Sequence, residues 1–191
     1  QSYNQEFIVK KDGKKGVFNY LGKETIPIDY DEIKKKNGVL VLSKNNKTNY
    51  FLNNKIISDS LVLDKSFEIY GDYISDKKTF YVFYKNKKQG IIDSENNVRI
   101  QAKYDNIEYK RLIENPKKEN FLIVKEGDLY GMIDLSEKEI IPIKYQNIEI
   151  ITADFAVLTI NNLKHFYNFR TKKLNTNFGF EKFDMYSRQF T

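Results

Sequence analysis

The amino-acid sequence predicts an all-β fold built from five tandem antiparallel repeats of about 38 residues each. The first observation is a short pattern that occurs three times, a glycine followed by two apolar residues and then Asp or Asn. The second is that a tyrosine stands at the same distance after each of these glycines. The pairs are Gly16 and Tyr30, Gly90 and Tyr104, and Gly131 and Tyr145. The third is that no segment keeps the 3.6-residue period of an amphipathic helix, so almost no helix is expected.

Each unit is expected to open with a β-hairpin. The apolar runs that should form the first strands are 7–9, 39–42, 80–84, 121–124 and 155–158. Polar turn residues follow these runs, among them Asp12-Gly13, Asn45-Asn46 and Asn161-Asn162. Such residues favour positive φ, which two-residue hairpin turns of the primed types require. The second strands should begin at Gly16, Asn49, Gly90, Gly131 and His165, so that two units lack the glycine.

A third strand and a bend complete each unit. The third strands are expected at 25–28, 55–57, 98–100 and 140–143. Pro27 and Pro142 have no N–H group, so each should lie at a strand end or on an edge strand. After the three repeated tyrosines, which we call the corner tyrosines, the chain should bend and continue as a fourth short strand or a single helical turn.

The repeats are expected to form a single domain that covers residues 1–191. Its units span about residues 5–37, 38–78, 79–118, 119–153 and 154–191. We favour an open, curved, solenoid-like stack, because units as short as the 33 residues from Gly16 to Asn49 leave little room for four full strands. The alternative is a closed five-bladed β-propeller, in which the lone strand 7–10 pairs with the segment 180–186 and hides both edges.

The repeated residues have structural interpretations with functional alternatives. The glycine permits a close approach of strands or an unusual φ. The corner tyrosines should bury their rings, and the alternative is a stacking platform for sugars or bases. The Asx residue three places after the glycine can accept hydrogen bonds from backbone N–H groups two residues ahead, and the alternative is a metal ligand repeated in register. The Asx residues are Asn19, Asp93, Asp134 and Asn168.

At these positions the chain resembles the WG-repeat family of bacterial β-repeat proteins. The first unit carries the family pattern at Gly16 to Asn19, at Ile26-Pro27 and at Tyr30 to Ile33. The fourth unit matches nearly as well, and the third lacks the proline, which is Gln101 here. The tryptophan that gives the family its name is replaced by Lys15, Gln89 and Tyr130. The resemblance implies a non-catalytic interaction module and supplies no catalytic residues.

The residue content gives little support for catalysis. The chain has no cysteine, which excludes disulfides and Cys-ligated zinc, and its one histidine is His165. Any His-centred triad would have to use that residue, and no phosphate-binding or dinucleotide-binding glycine motif occurs. A glycosidase pair of carboxylates stays open, but the corner carboxylates are expected to face solvent. These are Asp31, Glu32, Asp105 and Glu108. We therefore expect no enzyme, no cofactor and no bound metal.

Lysine dominates the positive charge, and the formal net charge is +6. Because arginine is scarce, nucleic acid is not an expected partner. The lysines around the first hairpin turns of units one to three should lie in a row if the copies stack in register. They are Lys11, Lys14, Lys15, Lys44, Lys47, Lys85, Lys87 and Lys88. Such a row could hold an acidic partner or an anionic polymer, and the alternative is ordinary solubilising turn chemistry.

The favoured function is a non-enzymatic binding or scaffolding module that recognises another protein. The alternatives are binding of a polyanion or glycan through the Lys-rich turns and exposed tyrosines, and a hydrolase. No apolar run approaches the roughly 18 residues of a membrane span. The chain begins at Gln1 rather than Met, which favours an exported protein, in the periplasm or at the cell surface, whose signal peptide has been removed.

Overall fold

A computed structural model of the chain describes residues 5–36, 38–57, 62–69, 77–111, 120–177 and 179–182. These residues form nineteen β-strands and contain no α-helix. The predicted all-β fold and the predicted scarcity of helix are therefore confirmed. Within the same ranges there is no helix long and apolar enough to cross a membrane.

The described strands form five antiparallel sheets of three or four strands, and none of these sheets closes into a barrel. The first sheet contains β1 (Glu6–Lys11), β2 (Lys14–Asn19) and β3 (Glu24–Tyr30). The second contains β4 (Glu32–Lys36), β5 (Val39–Lys44), β6 (Lys47–Leu52) and β7 (Lys55–Ile57). The third contains β8 (Val62–Ile69), β9 (Lys78–Lys85), β10 (Lys88–Asp93) and β11 (Val98–Tyr104). The fourth contains β12 (Asn106–Arg111), β13 (Asn120–Glu126), β14 (Leu129–Ile133) and β15 (Glu139–Tyr145). The fifth contains β16 (Asn147–Ile150), β17 (Phe155–Ile160), β18 (Leu163–Asn168) and β19 (Lys173–Leu174).

The strand after each corner tyrosine joins the next sheet. Strands β4, β12 and β16, which we call the corner strands, pair antiparallel with β5, β13 and β17. In the third sheet β8 takes this place beside β9. Of the two predicted conformations, the chain adopts the short strand and not the helical turn. Each sheet after the first therefore combines a strand from one sequence unit with the hairpin of the next.

The strand register is the same in these four sheets. In each sheet, one apolar residue of the incoming strand lies opposite an apolar residue of the first hairpin strand. That second residue also lies opposite the position in the second hairpin strand where the repeated glycine is expected. The triplets are Ile33–Leu42–Asn49, Leu63–Phe83–Gly90, Ile107–Val124–Gly131 and Ile148–Leu158–His165. Equal register at equal sequence positions confirms that the sequence repeats are structural repeats.

The chain divides into two compact units, residues 1–103 and residues 104–191. In the first unit, one buried cluster joins Val17 and Ile26 of the first sheet to Ile33 and Leu42 of the second. Another cluster joins the second sheet to the third, and in the residue 104–191 unit a single cluster joins the fourth sheet to the fifth. Each core thus lies between successive sheets. The single domain with unit boundaries near residues 37, 78, 118 and 153 stays a prediction.

The hairpin turns have the backbone conformation that their residues predict. Both central residues have positive φ in four of the described first turns, and in the fourth sheet Gly127 does. The pairs are Asp12 and Gly13, Asn45 and Asn46, Asn86 and Lys87, and Asn161 and Asn162. Because Asn, Asp and Gly tolerate this region better than other residues, the local sequence fixes each hairpin.

The repeated glycine is required by a close approach of the backbone. A Cβ atom on Gly90 would lie 2.5 Å from the Ile100 carbonyl oxygen and 2.7 Å from the Phe83 ring. At the other two glycines a carbonyl oxygen would also lie under 3.0 Å from a Cβ atom, at 2.8 Å for Ile26 at Gly16 and 2.9 Å for Ile141 at Gly131. Register shifts beside both glycines bring the third strand over them. Of the two predicted reasons for glycine, close approach is therefore confirmed.

The two units without this glycine have shorter third strands. Asn49 and His165 stand at the glycine position. Strand β7 pairs only with residues 50–52 of β6, and β19 pairs only with residues 167–168 of β18. In the fifth sheet β19 does not reach the glycine position, so the side chain of His165 fits there. In the second sheet β7 ends at Ile57, and residues 58–61 lie outside the described ranges.

Two further predictions are confirmed and one lies partly outside the described residues. Pro27 lies in β3 and Pro142 in β15, and both strands are at the edges of their sheets. The corner tyrosines are buried, with exposed fractions of 7%, 4% and 4%. Phe180 forms an isolated antiparallel bridge with Lys164, and residues 183–186 of the predicted last strand lie outside the described ranges.

Candidate functional site

The residue after the corner tyrosine fastens the corner strand to the next hairpin. The backbone N–H of Asp31 donates to the Ser43 carbonyl at 2.8 Å, and the Asp31 carboxylate accepts from the turn N–H of Asn45 at 2.9 Å. We call this pair of hydrogen bonds the corner clamp. It recurs as Asp105 with Lys125 and Gly127, and as Gln146 with Thr159 and Asn162. The sequence signal was the polar residue after each tyrosine, whose partner was not predicted.

The repeated Asx residues cap the second turn of each hairpin unit. Asp134 Oδ1 accepts from the backbone N–H groups of Ser136 at 2.8 Å and Lys138 at 2.9 Å. Asn19 and Asp93 make the same two bonds, and Asn168 accepts from the N–H three residues ahead. The predicted capping is therefore confirmed. Among the described residues, no group of three or more His, Asp or Glu side chains is arranged to hold a metal ion.

Asp93 is the buried member of this set. Its carboxylate accepts from the N–H groups of Glu95 and Asn97 and from Arg99 Nε at 2.8 Å. Burial alone would raise the pKa of the Asp93 carboxyl, but the hydrogen bonds from Asn97 and Arg99 outweigh it and lower that pKa below 3.8. Because the folded-state pKa is depressed, this carboxylate stabilises the fold above the unfolded-state pKa. That stabilisation is lost as the pH falls through the folded-state value.

We therefore expect Asp93→Asn to cost about 1–2 kcal/mol of unfolding free energy at neutral pH. The amide keeps an acceptor for the two N–H groups but loses the charge that attracts Arg99. The difference between wild type and variant should shrink as the pH is lowered from about 6 to about 2, because the wild-type carboxylate becomes protonated. Urea unfolding curves at several pH values measure this difference. A difference that stays constant across the series would contradict the assignment.

Three of the eight predicted binding lysines are paired with carboxylates of the first corner. The pairs are Lys14 with Asp31, Lys15 with Glu32, and Lys44 with Asp29. The hydrogen bond from Lys14 lowers the pKa of Asp31, so this carboxylate is anionic at neutral pH. Exposed pairs of this kind add little stability, but they neutralise part of the local positive charge. A polyanion at these turns would have to compete with the corner carboxylates.

The other predicted lysines also lie in or beside hairpin turns. Lys11, Lys47, Lys85 and Lys87 are exposed, and Lys88 is half-buried. The structure therefore brings all eight to the first turns of sheets one to three, which is where the sequence predicts them. The corner tyrosines do not support the predicted binding of a polyanion or a glycan, because their rings are buried and offer no flat face to a sugar or a base.

His165 does not join a catalytic arrangement in the described part of the chain. Its Nδ1 atom lies 3.2 Å from the carbonyl oxygen of Asn175. Of the corner carboxylates, Asp31, Asp105 and Glu108 are exposed, as predicted. Glu108 pairs with Lys110 at 2.6 Å. These contacts orient side chains within the fold and give no pair of convergent acids at a cleft.

An apolar groove of about 770 Å³ lies on the fifth sheet. Phe155 lies opposite Asn168 and Phe166 lies opposite Val157, so the two phenylalanine side chains are on the same face. Phe155 is 41% exposed. The groove is lined by Ile151, Thr152, Phe155, Phe166, Asn168, Thr171, Lys173, Leu174, Asn175, Thr176 and Asn177. This lining contains no carboxylate, and the sequence reasoning did not predict the groove.

Two of the polar residues that line the groove, Asn168 and Asn175, use their side-chain oxygens within the chain. Asn168 Oδ1 accepts from the Thr171 N–H at 2.9 Å, and Asn175 Oδ1 accepts from the Asn177 N–H at 3.1 Å. With their oxygens used inside the chain, the carboxamides offer NH2 donors. The groove thus combines aromatic surface with donors for carbonyl or carboxylate oxygens. The sequence signal was the polar run from Asn175 to Asn177, but its position beside Phe155 depends on strand pairing.

Comparison with known proteins identifies the repeats. The sequence profile described as the WG containing repeat matches residues 90–130 and 130–163. Both segments are similar to WG repeats, and together they cover less than half of the chain. The resemblance seen in the sequence is confirmed over these residues, although neither segment contains a tryptophan. Gly90 and Gly131 lie within the second hairpin strands β10 and β14, and the match ends at the first residue of β18.

Among solved structures, a crystal structure of BBS1N in complex with ARL6DN, soaked with mercury, is similar over 89% of this chain. The sequence identity is 8% and the TM-score is 0.35. The similarity covers 60% of that chain, so this chain spans less than two thirds of its length. No curated protein matches the sequence.

Proposed function

We propose that this chain is a non-enzymatic binding module that recognises a peptide segment of a partner protein. The observation that carries the proposal is the groove on the fifth sheet. An apolar side chain of the partner would lie against Phe155 and Phe166, and the partner's backbone carbonyls would accept from the NH2 groups of Asn168 and Asn175. Concave apolar surface with a few oriented polar groups is typical of binding sites.

The charges of the lining favour a peptide over a polyanion. Lys173 is the single charged residue among those that line the groove. A polyanion gains affinity from many cations at once, whereas a peptide gains it from apolar burial and hydrogen bonds. The WG repeats also support a binding function, because they form a repeat module in which the space between successive sheets is occupied by the module's own core residues.

Selection of random peptides on the immobilised chain tests the proposal. We expect the selected peptides to be rich in apolar residues and to bind saturably in calorimetry. Phe155→Ser should weaken their binding by about tenfold or more, because exposed aromatic anchors carry much of the affinity in such sites. Tyr20→Ser is the matched control, since Tyr20 is 55% exposed and lies in the first compact unit, outside the groove lining.

Three results would contradict the proposal. The first is that no selected peptide saturates the protein. The second is equal binding by wild type and Phe155→Ser. The third is strong, salt-sensitive retention on heparin together with no peptide binding, which would favour the Lys-rich turns instead.

A further inference from the structure

The first sheet lacks a strand that the other four sheets have. Strand β1 pairs with β2 on one side and has no strand on its other side among the described residues. In the other sheets, β4, β8, β12 and β16 occupy that side of the equivalent strand. An edge with unpaired N–H and C=O groups is a template for another strand.

The side chains of β1 are exposed where their equivalents are buried. Val9 lies opposite Gly16 and is therefore the register equivalent of the middle residue of each triplet described above. Val9 is 36% exposed, whereas these equivalents are exposed by at most 2%. They are Leu42, Phe83, Val124 and Leu158. The neighbours Phe7 and Ile8 are 52% and 48% exposed. Leu42, Phe83 and Leu158 lie in clusters that join their sheet to the preceding one, and among the described residues the first sheet has neither a preceding sheet nor an incoming strand.

In the first sheet, no described residue binds the backbone groups that the corner clamp uses in the other sheets. Lys10 occupies the place of Ser43 and Lys125, whose carbonyls accept from the incoming strand. Asp12 occupies the place of Asn45 and Gly127, whose N–H groups donate to the corner carboxylate. No described residue pairs with this side of β1. The first hairpin therefore presents half of a corner clamp.

The charge at this edge favours an acidic segment. Lys11 is the register equivalent of Lys44, which pairs with Asp29, the residue before the first corner tyrosine. Lys10 and Lys11 are both exposed. A strand that reproduces the first corner would thus bring one carboxylate to Lys11 and another to the Asp12 N–H.

We propose that the open edge of β1 binds an extended segment of a separate protein with the sequence acid–aromatic–Asp–any residue–Ile. The segment adds a fourth strand to the first sheet, its Asp completes the corner clamp, and its Ile lies opposite Val9 as Ile33 lies opposite Leu42. Main-chain hydrogen bonds give affinity in such strand addition, and the alternate side chains give specificity. This site is separate from the groove on the fifth sheet.

A fluorescent peptide with the sequence of residues 28–36 tests the proposal in anisotropy titrations against the full chain. We expect saturable binding to wild type. Ile8→Pro should weaken it by about tenfold or more, because proline removes an N–H group from the open edge. Residues two apart in a strand direct their N–H groups to the same side, so the N–H of Ile8 faces the open edge as that of Lys10 does. Proline is tolerated on edge strands. Val9→Lys tests the same edge by a different route and should weaken binding similarly.

Two controls separate this site from other modes of binding. A peptide with aspartate in place of the residue that matches Ile33 should not compete with the labelled peptide. The Phe155→Ser variant should bind the peptide as wild type does, because Phe155 is not at the edge of β1. Binding at the edge can therefore be confirmed even if the proposed groove on the fifth sheet binds no peptide. The proposal is overturned by the absence of saturable binding, or by equal binding to wild type and both edge variants. It is also overturned by concentration-dependent self-association that Ile8→Pro abolishes, which would assign the edge to a second copy of the chain.

Discussion

Replacing Gly90 with alanine is expected to lower the free energy of unfolding by about 2–3 kcal/mol. The new methyl group would meet the backbone carbonyl of Ile100 at 2.5 Å and the backbone nitrogen of Ala102 at 2.8 Å. Backbone atoms of a paired strand cannot move aside as a flexible side chain can. The buried Phe83 ring, 2.7 Å away, closes the remaining space. Urea unfolding followed by far-UV circular dichroism measures the loss.

Asn49→Ala is the matched control for this change. Asn49 has the same register position in the second sheet but already carries a side chain, and the described residues of β7 pair with residues 50–52 and not with Asn49. The expected effect is less than about 1 kcal/mol, the range of ordinary partly exposed substitutions. Equal losses for Gly90→Ala and Asn49→Ala would show that the third strand does not explain the glycine.

Replacing Ile107 with alanine is expected to cost about 2–5 kcal/mol. Ile107 is fully buried and lies opposite Val124 in the fourth sheet. Truncation of such a residue removes apolar burial and leaves a cavity. Because β12 belongs to the fourth sheet, amide hydrogen exchange should accelerate in β13 and β14.

Leu129→Ala is the control of matched size for this second prediction. Leu129 lies in the same sheet but is 39% exposed, so its truncation should cost less than about 1 kcal/mol. Hydrogen exchange by mass spectrometry reports which strands lose protection in each variant. Unchanged protection of β13 and β14 in Ile107→Ala would contradict the assignment of the corner strand to the following hairpin.

Local chemistry made much of the fold predictable from the sequence. The turns at Asp12-Gly13 and Asn45-Asn46 need positive φ, and the residues that tolerate it are few. Pro27 cannot donate a hydrogen bond, so it had to lie at an edge or a strand end. The buried corner tyrosines followed from their regular spacing, which a repeated core produces. Each of these inferences depends on one residue and its immediate neighbours.

Partners that are distant in the sequence were not predictable in this way. The sequence pattern left open whether residues after Tyr30 form a strand, because the answer depends on pairing with β5. The row of turn lysines stays a prediction, and the sequence did not predict that three of these lysines pair with Asp29, Asp31 and Glu32. These pairs join residues that are 15 to 17 positions apart. The groove on the fifth sheet escaped prediction for the same reason, since three strands and the segment after β19 form it.

The measurement that tests the central claim most directly is a set of cross-strand nuclear Overhauser effects in solution. The proposed arrangement is one in which each corner strand leaves its own unit and completes the next sheet in constant register. It predicts cross-strand contacts that link Ile33 with Leu42, Ile107 with Val124, and Ile148 with Leu158. Contacts that instead join these isoleucines to third strands of their own units, or that follow a helical pattern, would contradict it.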